Sequence, residues 1–419
     1  MYKKKHITSL LIVLLVSAKA FSNVYDNRFF PLFKRPFSKK DEDKYSRFGA
    51  SFFATSADCA MGTHDEEIRI PRLFGVFGRD EVCYNLERIG HALVLMGKPN
   101  PLRDEYQNKN LPWIIGQKVS AQGMSFVYDQ HIWKYLYAGV SFMFMRVHSN
   151  YSFIFDRSGF HLKDEQLSDV HDALCCLHNA IGIKGHGYNQ TGVGDMDAYL
   201  RVGHIWDRQY KMRRIDAGLS IGFLIPTGKE ICLELPSSVP FGGNGHWGMY
   251  AQVDAELGLK EDMKLLLMFR ASKRRSKTKL RRVPIAKEHP LFGALIAPVE
   301  VDPGVTLVFS PQFWWESLRD GFGLRAGLTL VYHDNDCWKD CRGTKAKEAV
   351  PSDLSCINES SKWATDYINL SAYYDFYDET DEKRFAPVIS LTWDWPISFF
   401  IAKNVPKTHR VSLGFDILF

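Results

Sequence analysis

The sequence predicts an all-β protein, a transmembrane antiparallel β-barrel of about 12 strands (roughly 10 to 14), with long external loops and one short helix. Three observations carry that expectation. The N-terminus reads as a secretory signal, long segments alternate apolar and polar residues, and the links between those segments alternate in length.

The opening segment decides where the chain goes. Lys3, Lys4 and Lys5 precede an apolar run from Ile7 to Ala18, and Ala18-Lys19-Ala20 offers small residues at the two positions a signal peptidase reads. A positive start, an apolar core and an A-x-A site are what a secretory signal needs. The run is about a dozen residues long, short of the roughly 20 that a spanning helix requires. Residues 1–20 are therefore expected to be a cleavable signal, 21–45 a periplasmic segment and candidate plug, and 46–419 the barrel. Removing Lys3, Lys4, Lys5 and Lys19 lowers the formal net charge from +5 to about +1. The basicity thus belongs largely to the leader and gives no argument for a nucleic-acid partner. No later stretch is apolar enough to span a bilayer as a helix. An exported chain of that kind is either soluble or a closed barrel, the two forms that satisfy every backbone group.

Period-two alternation decides for the barrel. In 214–225, Ile215, Ala217, Leu219, Ile221, Phe223 and Ile225 oppose Asp216, Gly218, Ser220 and Gly222. In 249–259, Met249, Ala251, Val253, Ala255, Leu257 and Leu259 oppose Tyr250, Gln252, Asp254, Glu256 and Gly258. In 321–332, Phe322, Leu324, Ala326, Leu328 and Leu330 oppose Gly323, Arg325, Gly327 and Thr329. These runs match the roughly 9–11 residues a tilted strand needs to cross hydrocarbon, and they exceed the usual globular strand of about five or six. The same test picks out 46–55, 116–128, 133–147, 194–206, 263–272, 305–315, 365–376 and 385–395. Links near 129–131, 207–212, 260–262, 316–320 and 379–383 are short, whereas 149–191, 227–245, 273–303 and 333–362 are long. Short periplasmic turns and long external loops are the pattern of bacterial barrels. The short link at 400–407 is the exception among the external loops.

The last strand carries His409, Val411, Leu413, Phe415, Ile417 and Phe419 on one face and Arg410, Ser412, Gly414 and Asp416 on the other. It resembles the carboxyl-terminal signature of bacterial outer-membrane proteins. That likeness implies recognition of the strand ending at Phe419 by the barrel-assembly machinery, and outer-membrane lipids as surroundings. Gly192-Val193-Gly194-Asp195, Pro226-Thr227-Gly228-Lys229 and Pro240-Phe241-Gly242-Gly243-Asn244-Gly245 resemble landmarks of outer-membrane transporters of the fatty-acid and phenol-degradation type. This resemblance implies a channel or transporter for small solutes, hydrophobic ones among the candidates. The residues themselves suggest a second purpose, since glycines permit positive-φ turns where strands leave the membrane.

The candidate functional surface is the lumen. Alternation points Asp195, Asp197, Tyr199, Arg201, Asp216, Asp254, Glu256, Lys264, Arg270, Arg325, Asp366, Asp375, Asp394, Arg410 and Asp416 inward. Both signs are present, so the interior is either a wet, solute-conducting channel or a plug of cross-barrel ion pairs. Trp133, Tyr135, Tyr137, Trp314, Trp315, Trp393 and Trp395 sit where interfacial girdles are expected.

Residues 165–183 read as a helix in an external loop, with Leu167, Val170, Leu174, Leu177 and Ile181 at helical spacing. His171, Cys175 and His178 share a face that could hold a metal, although a helix packed by its apolar stripe explains the same letters. Eight cysteines in an exported chain are compatible with disulfides. The basic run 273–282 is read as a solvated loop, with attraction to surface phosphates or anionic solutes as the alternative. His204, His246 and His333 lie near strand ends without a nucleophile motif, so neither enzyme activity nor a cofactor is expected. A structural or adhesive surface barrel with binding loops is the competing function. Oligomeric state stays open.

Overall fold

The computed structural model describes residues 26–30, 46–63, 66–74, 84–107, 111–133, 135–155, 163–207, 212–285, 287–376 and 386–418. The expected leader and Phe419 lie outside them, and of the candidate plug only 26–30 is described. Twelve antiparallel strands close the barrel. They are β1 (Ser46–Ala57), β2 (Pro112–Trp133), β3 (Leu136–Phe155), β4 (Met196–Asp207), β5 (Arg214–Ile225) and β6 (Gly248–Gly258). Then come β7 (Met263–Arg274), β8 (Val305–Arg319), β9 (Phe322–His333), β10 (Trp363–Asp375), β11 (Ala386–Ile397) and β12 (His409–Leu418). Each pairs with its sequence neighbours, and β1 closes the ring on β12, from Arg47 opposite Leu418 to Ser56 opposite His409. Closure leaves no lipid-facing strand edge, the condition for irregular-free backbone in hydrocarbon.

The exterior belt is apolar. Phe52, Leu200, Leu219, Phe269, Phe313, Leu370 and Leu413 are exposed on the outward face, where lipid replaces water as the surrounding medium. Trp393 and Trp395 stack outside at 5.6 Å between ring centroids, and exposed Trp315 donates its indole N–H to Asp262 at 3.1 Å. These three suit an interfacial girdle.

Two corrections concern register. β2 continues to Trp133 and β3 begins at Leu136, past the turn expected near 129–131, with a register shift between His131 and Trp133. Trp133 therefore ends β2, and Tyr137 turns inward under the Arg201 guanidinium, 5.4 Å from its ring. Trp314 also faces inward and is buried, because consecutive strand residues cannot share a face.

The long loops build an external cap. β2 and β3 rise beyond the other strands, and Gly187–Val193 pairs with the upper part of β3. Helix α1 (Leu86–Leu95) is capped by the Asn85 side chain, which accepts from Glu87 N at 3.0 Å. Helix α2 (Asp164–Ala180) buries Val170, Leu174 and Leu177 in one cluster with Leu93, Trp113 and Phe155. Its apolar stripe thus packs onto the raised hairpin. His171 lies against the Trp113 ring, His178 faces His186 at 3.1 Å, and Cys175 is exposed. The three do not converge, and no metal cluster occurs among the described residues. Seven described cysteines are free thiols, Cys59, Cys175, Cys176, Cys232, Cys337, Cys341 and Cys356.

The basic run is solvated only in part: Lys273, Arg275, Ser276, Lys277 and Thr278 are exposed, whereas Arg274, Arg281 and Arg282 are buried. After Arg274, the strand Lys277–Val283 pairs with Leu295–Asp302, and that strand pairs with Cys337–Asp340. Buried Arg282 donates to the carbonyls of Leu233, Ile181 and Gly293, and Lys279 donates to Asn244 O at 2.8 Å. Most of its cations are struts that satisfy loop carbonyls which would otherwise be buried unpaired.

Candidate functional site

Alternation sends the polar residues of β4 to β7 to one side of the lumen, where they meet as ion pairs. Arg201 is 5% exposed; its Nη2 lies 2.6 Å from Asp254 and 2.9 Å from Asp216, and its Nε donates to Asp254 at 2.9 Å. Gly203 and Gly218 leave the room, since a Cβ on Gly218 would stand 2.5 Å from Arg201 Nε. Asp197 accepts from Tyr250 at 2.7 Å and from Arg270 at 3.2 Å, and Arg270 covers the Tyr250 ring at 3.4 Å. Nearer the periplasmic end, Lys264 bridges Glu256 at 3.5 Å and Glu316 at 2.9 Å. Charges taken out of water are tolerated when each finds a counter-charge and hydrogen bonds. On this side of the lumen the charges are buried and paired.

The other half is open. β1 and β8 to β12 present Ser51, Gly327, Ser371, Thr392, Ser412 and Gly414 to a cavity of about 110 Å³. A hydrogen-bond chain runs along its wall. Ser310 meets Thr329 at 3.0 Å, Thr329 donates to Asn369 at 2.7 Å, Asn369 donates to Asp394 at 2.6 Å, and Arg410 donates to Asp394 at 2.8 Å. At the periplasmic end Arg47 joins Asp416 at 2.9 Å and Asp129 at 3.6 Å, while Tyr199 donates to Asp129. Arg325 is sandwiched between Trp314 and Tyr373 at 4.1 and 4.0 Å, a stack in which the ring faces attract the cation. Asp375 is buried on the inward face of β10, on the same face as Tyr373.

Asp366 departs from expectation. It pairs with Leu330, whose neighbours Leu324 and Ala326 are outward, so it lies on the outer face of β10. There it accepts from the backbone N–H groups of Phe400, Ile401 and Ala402 at 2.8, 2.8 and 3.3 Å. Its carboxylate pins an external loop and does not line the lumen. The physical reason is parity, because inward positions of β10 are odd-numbered.

Above the polar zone the interior turns apolar. Phe53, Met143, Met145 and Phe241 pack with Phe29 and Phe30, and Met268, Val308 and Val331 form a second cluster with Trp363. The three sequence landmarks converge here on Asp195, which is fully buried. Asp195 accepts from Gly228 N at 3.1 Å and Gly243 N at 2.5 Å and pairs with Arg274 at 2.8 Å; Thr227 donates to Gly194 O at 2.7 Å. Arg274 also holds Asp26. Burial works against the Asp26 charge, but Arg274 outweighs it and keeps the carboxyl below its ordinary value. The positive-φ reading fails for Gly192, Gly194 and Gly228, since among the landmark residues only Asn244 and Gly245 have φ in that range. Glycine is needed instead for close approach: a Cβ on Gly228 would stand 2.8 Å from Asp195 Oδ1, and one on Gly242 would fall on the same carboxyl group.

No protein-family model and no curated protein matches the chain. Among solved structures, an outer-membrane channel from Pseudomonas putida F1 covers 92% of this chain and 100% of its own, with 11% identity and a TM-score of 0.50. The chain has the fold of a bacterial outer-membrane channel. A FadL homologue from Pseudomonas aeruginosa covers 90% of each chain at 8% identity and a TM-score of 0.30. The TodX monoaromatic hydrocarbon channel covers the same shares at 8% identity and 0.34. At such identities the likeness is one of fold, and the barrel's apolar belt and closed ring are its independent counterpart in this chain.

Five charged partners in these networks were not singled out from the sequence: Arg47, Asp129, Glu316, Arg274 and Asp26. Arg47 shares its face with Gly49 and Ser51 and was open to the alternation test. Asp129 and Glu316 fell in residues read as turns, and Arg274 was masked by the basic run around it.

Proposed function

We propose that the protein is an outer-membrane channel passing small solutes through the hydroxyl-lined half of its lumen. The observation that supports this reading is the division of the interior: buried ion pairs fill one side, while on the other small neutral side chains leave space between the Arg47–Asp416 and Arg410–Asp394 pairs. Such a wall offers donors and acceptors without a single-sign field, which suits polar or amphipathic solutes. The apolar layer above it admits the hydrophobic part of a solute. The segment 26–30 narrows the outer mouth without closing it, tied to the rim by Asp26 to Arg274 and by Arg28 to the carbonyls of Asn404 and Ser360 at 2.7 and 2.6 Å. The terminal strand serves the assembly machinery, so deleting Phe419 should leave unassembled chains in the periplasm.

Planar-bilayer recording tests the channel. The native barrel should give discrete conductance, and Ser371→Trp, which fills the cavity from β10, should lower it. A folded native barrel that never conducts, or an unchanged conductance in the Ser371→Trp variant, would remove this reading.

A further inference from the structure

Beyond the lumen, a second cavity of about 200 Å³ lies at the outer mouth between segment 26–30 and the external cap. Three arginines, Arg28, Arg274 and Arg281, line it against two aspartates, Asp26 and Asp336. Four of these five already have partners. Arg274 holds Asp26 and Asp195, Arg28 donates to two carbonyls, and Asp336 accepts from His333 at 3.0 Å and from Gly304 N at 2.8 Å. Arg281 is different. It is 5% exposed, and its Nε and Nη2 are buried without a hydrogen-bond partner among the described residues. The counter-charge that acts on it is Glu230, which Lys279 already binds at 2.5 Å.

Buried guanidinium N–H groups without a partner forfeit their hydration and recover nothing in exchange. The planar fork of a guanidinium matches a carboxylate better than any other side chain does. Part of the wall is apolar, formed by Phe29 and Phe74, stacked at 6.5 Å between ring centroids, with Trp338 and Ile357; Asn27, Ser238, Asn244 and His246 are among the polar residues that line the remainder. We infer that this vestibule is a binding site for a small organic carboxylate, whose acid group pairs with Arg281 while its apolar body rests on Phe29, Phe74 and Trp338. Its role as the place where a solute is first captured rests on the channel reading; the binding itself does not.

The test is equilibrium titration of the full-length folded barrel in detergent, with benzoate as probe and benzamide as its uncharged counterpart. Benzoate should bind saturably. Benzamide, and benzoate to Arg281→Gln, should bind about tenfold more weakly or worse, as expected for losing a charged hydrogen-bond pair. Arg281→Lys, which keeps the charge, should bind benzoate more tightly than Arg281→Gln does. Heat-modifiable electrophoretic migration confirms that each variant is folded. Equal affinity of native and Arg281→Gln protein for benzoate would overturn the inference, as would equal affinity for benzamide or no binding by the folded native barrel. Displacement of benzoate by an equal concentration of inorganic phosphate would also overturn it, by assigning the site to bare anions. Because the readout is binding, failure here is separate from failure to conduct.

Discussion

Replacing Arg201 with methionine removes the cation from the ion-paired side of the lumen while nearly keeping its volume. In the native barrel its guanidinium makes three contacts of 2.6 to 2.9 Å with Asp216 and Asp254. All three side chains are buried. Without Arg201, two carboxylates are left facing each other in a dry space, and breaking a buried pair from one side costs about 3–5 kcal/mol. Arg201→Met should therefore destabilise the barrel by about that amount. Adding Asp216→Asn and Asp254→Asn should recover most of it, since the stranded charges are then gone. Urea unfolding in lipid vesicles, followed by tryptophan fluorescence and by electrophoretic migration, measures both. A loss below about 1 kcal/mol for Arg201→Met, the usual worth of a solvated pair, would refute the reasoning. It would mean that water reaches this side of the lumen and that the ion pairs do not seal it.

Gly242→Ala would place a methyl group on the Asp195 carboxyl and should cost about 1–3 kcal/mol, as overpacking does; it should also speed protease cleavage in the external loops, and native-like resistance would contradict the role given to Asp195. Burial pushes the His178 imidazole from 6.5 down to about 3, with His186 adding to the effect. The folded cap therefore binds fewer protons than the unfolded chain. Its stability is complete above the ordinary value of 6.5 and falls as acidification proceeds toward about 3. Hydrogen exchange in α2 should accordingly quicken between about pH 7 and pH 5, after correction for the intrinsic rate, and His178→Gln should flatten that dependence.

The route from sequence to structure differs between wall and interior. Outward residues such as Leu219, Ile221 and Phe223 are each chosen by the same solvent, so their pattern is written locally and the strands were legible from it. Inward residues are chosen by partners that lie across the barrel. Nothing near Asp195 in the chain indicates that Gly228, Gly243 and Arg274 converge on it. Parity errors follow from the same limit. Asp366 and Asp375 were both assigned to the lumen although they stand an odd number of residues apart on one strand, so only one could face it. The cation-rich segment 273–282 shows a third case, since its composition suggests a surface patch while burial turns Arg274 and Arg282 into internal struts.

By itself the amino-acid order determined the barrel class, the strand count, the sides on which short and long links emerge, and the apolar belt. Each depends on a period of two and on a uniform lipid environment. Only the tertiary structure decided which side of the lumen gathers the buried ion pairs, what the glycine motifs accommodate and that Nε and Nη2 of Arg281 have no partner among the described residues. Those are outcomes of pairing between distant strands and loops, where the energy of a charge is set by what closure brings within about 3 Å of it.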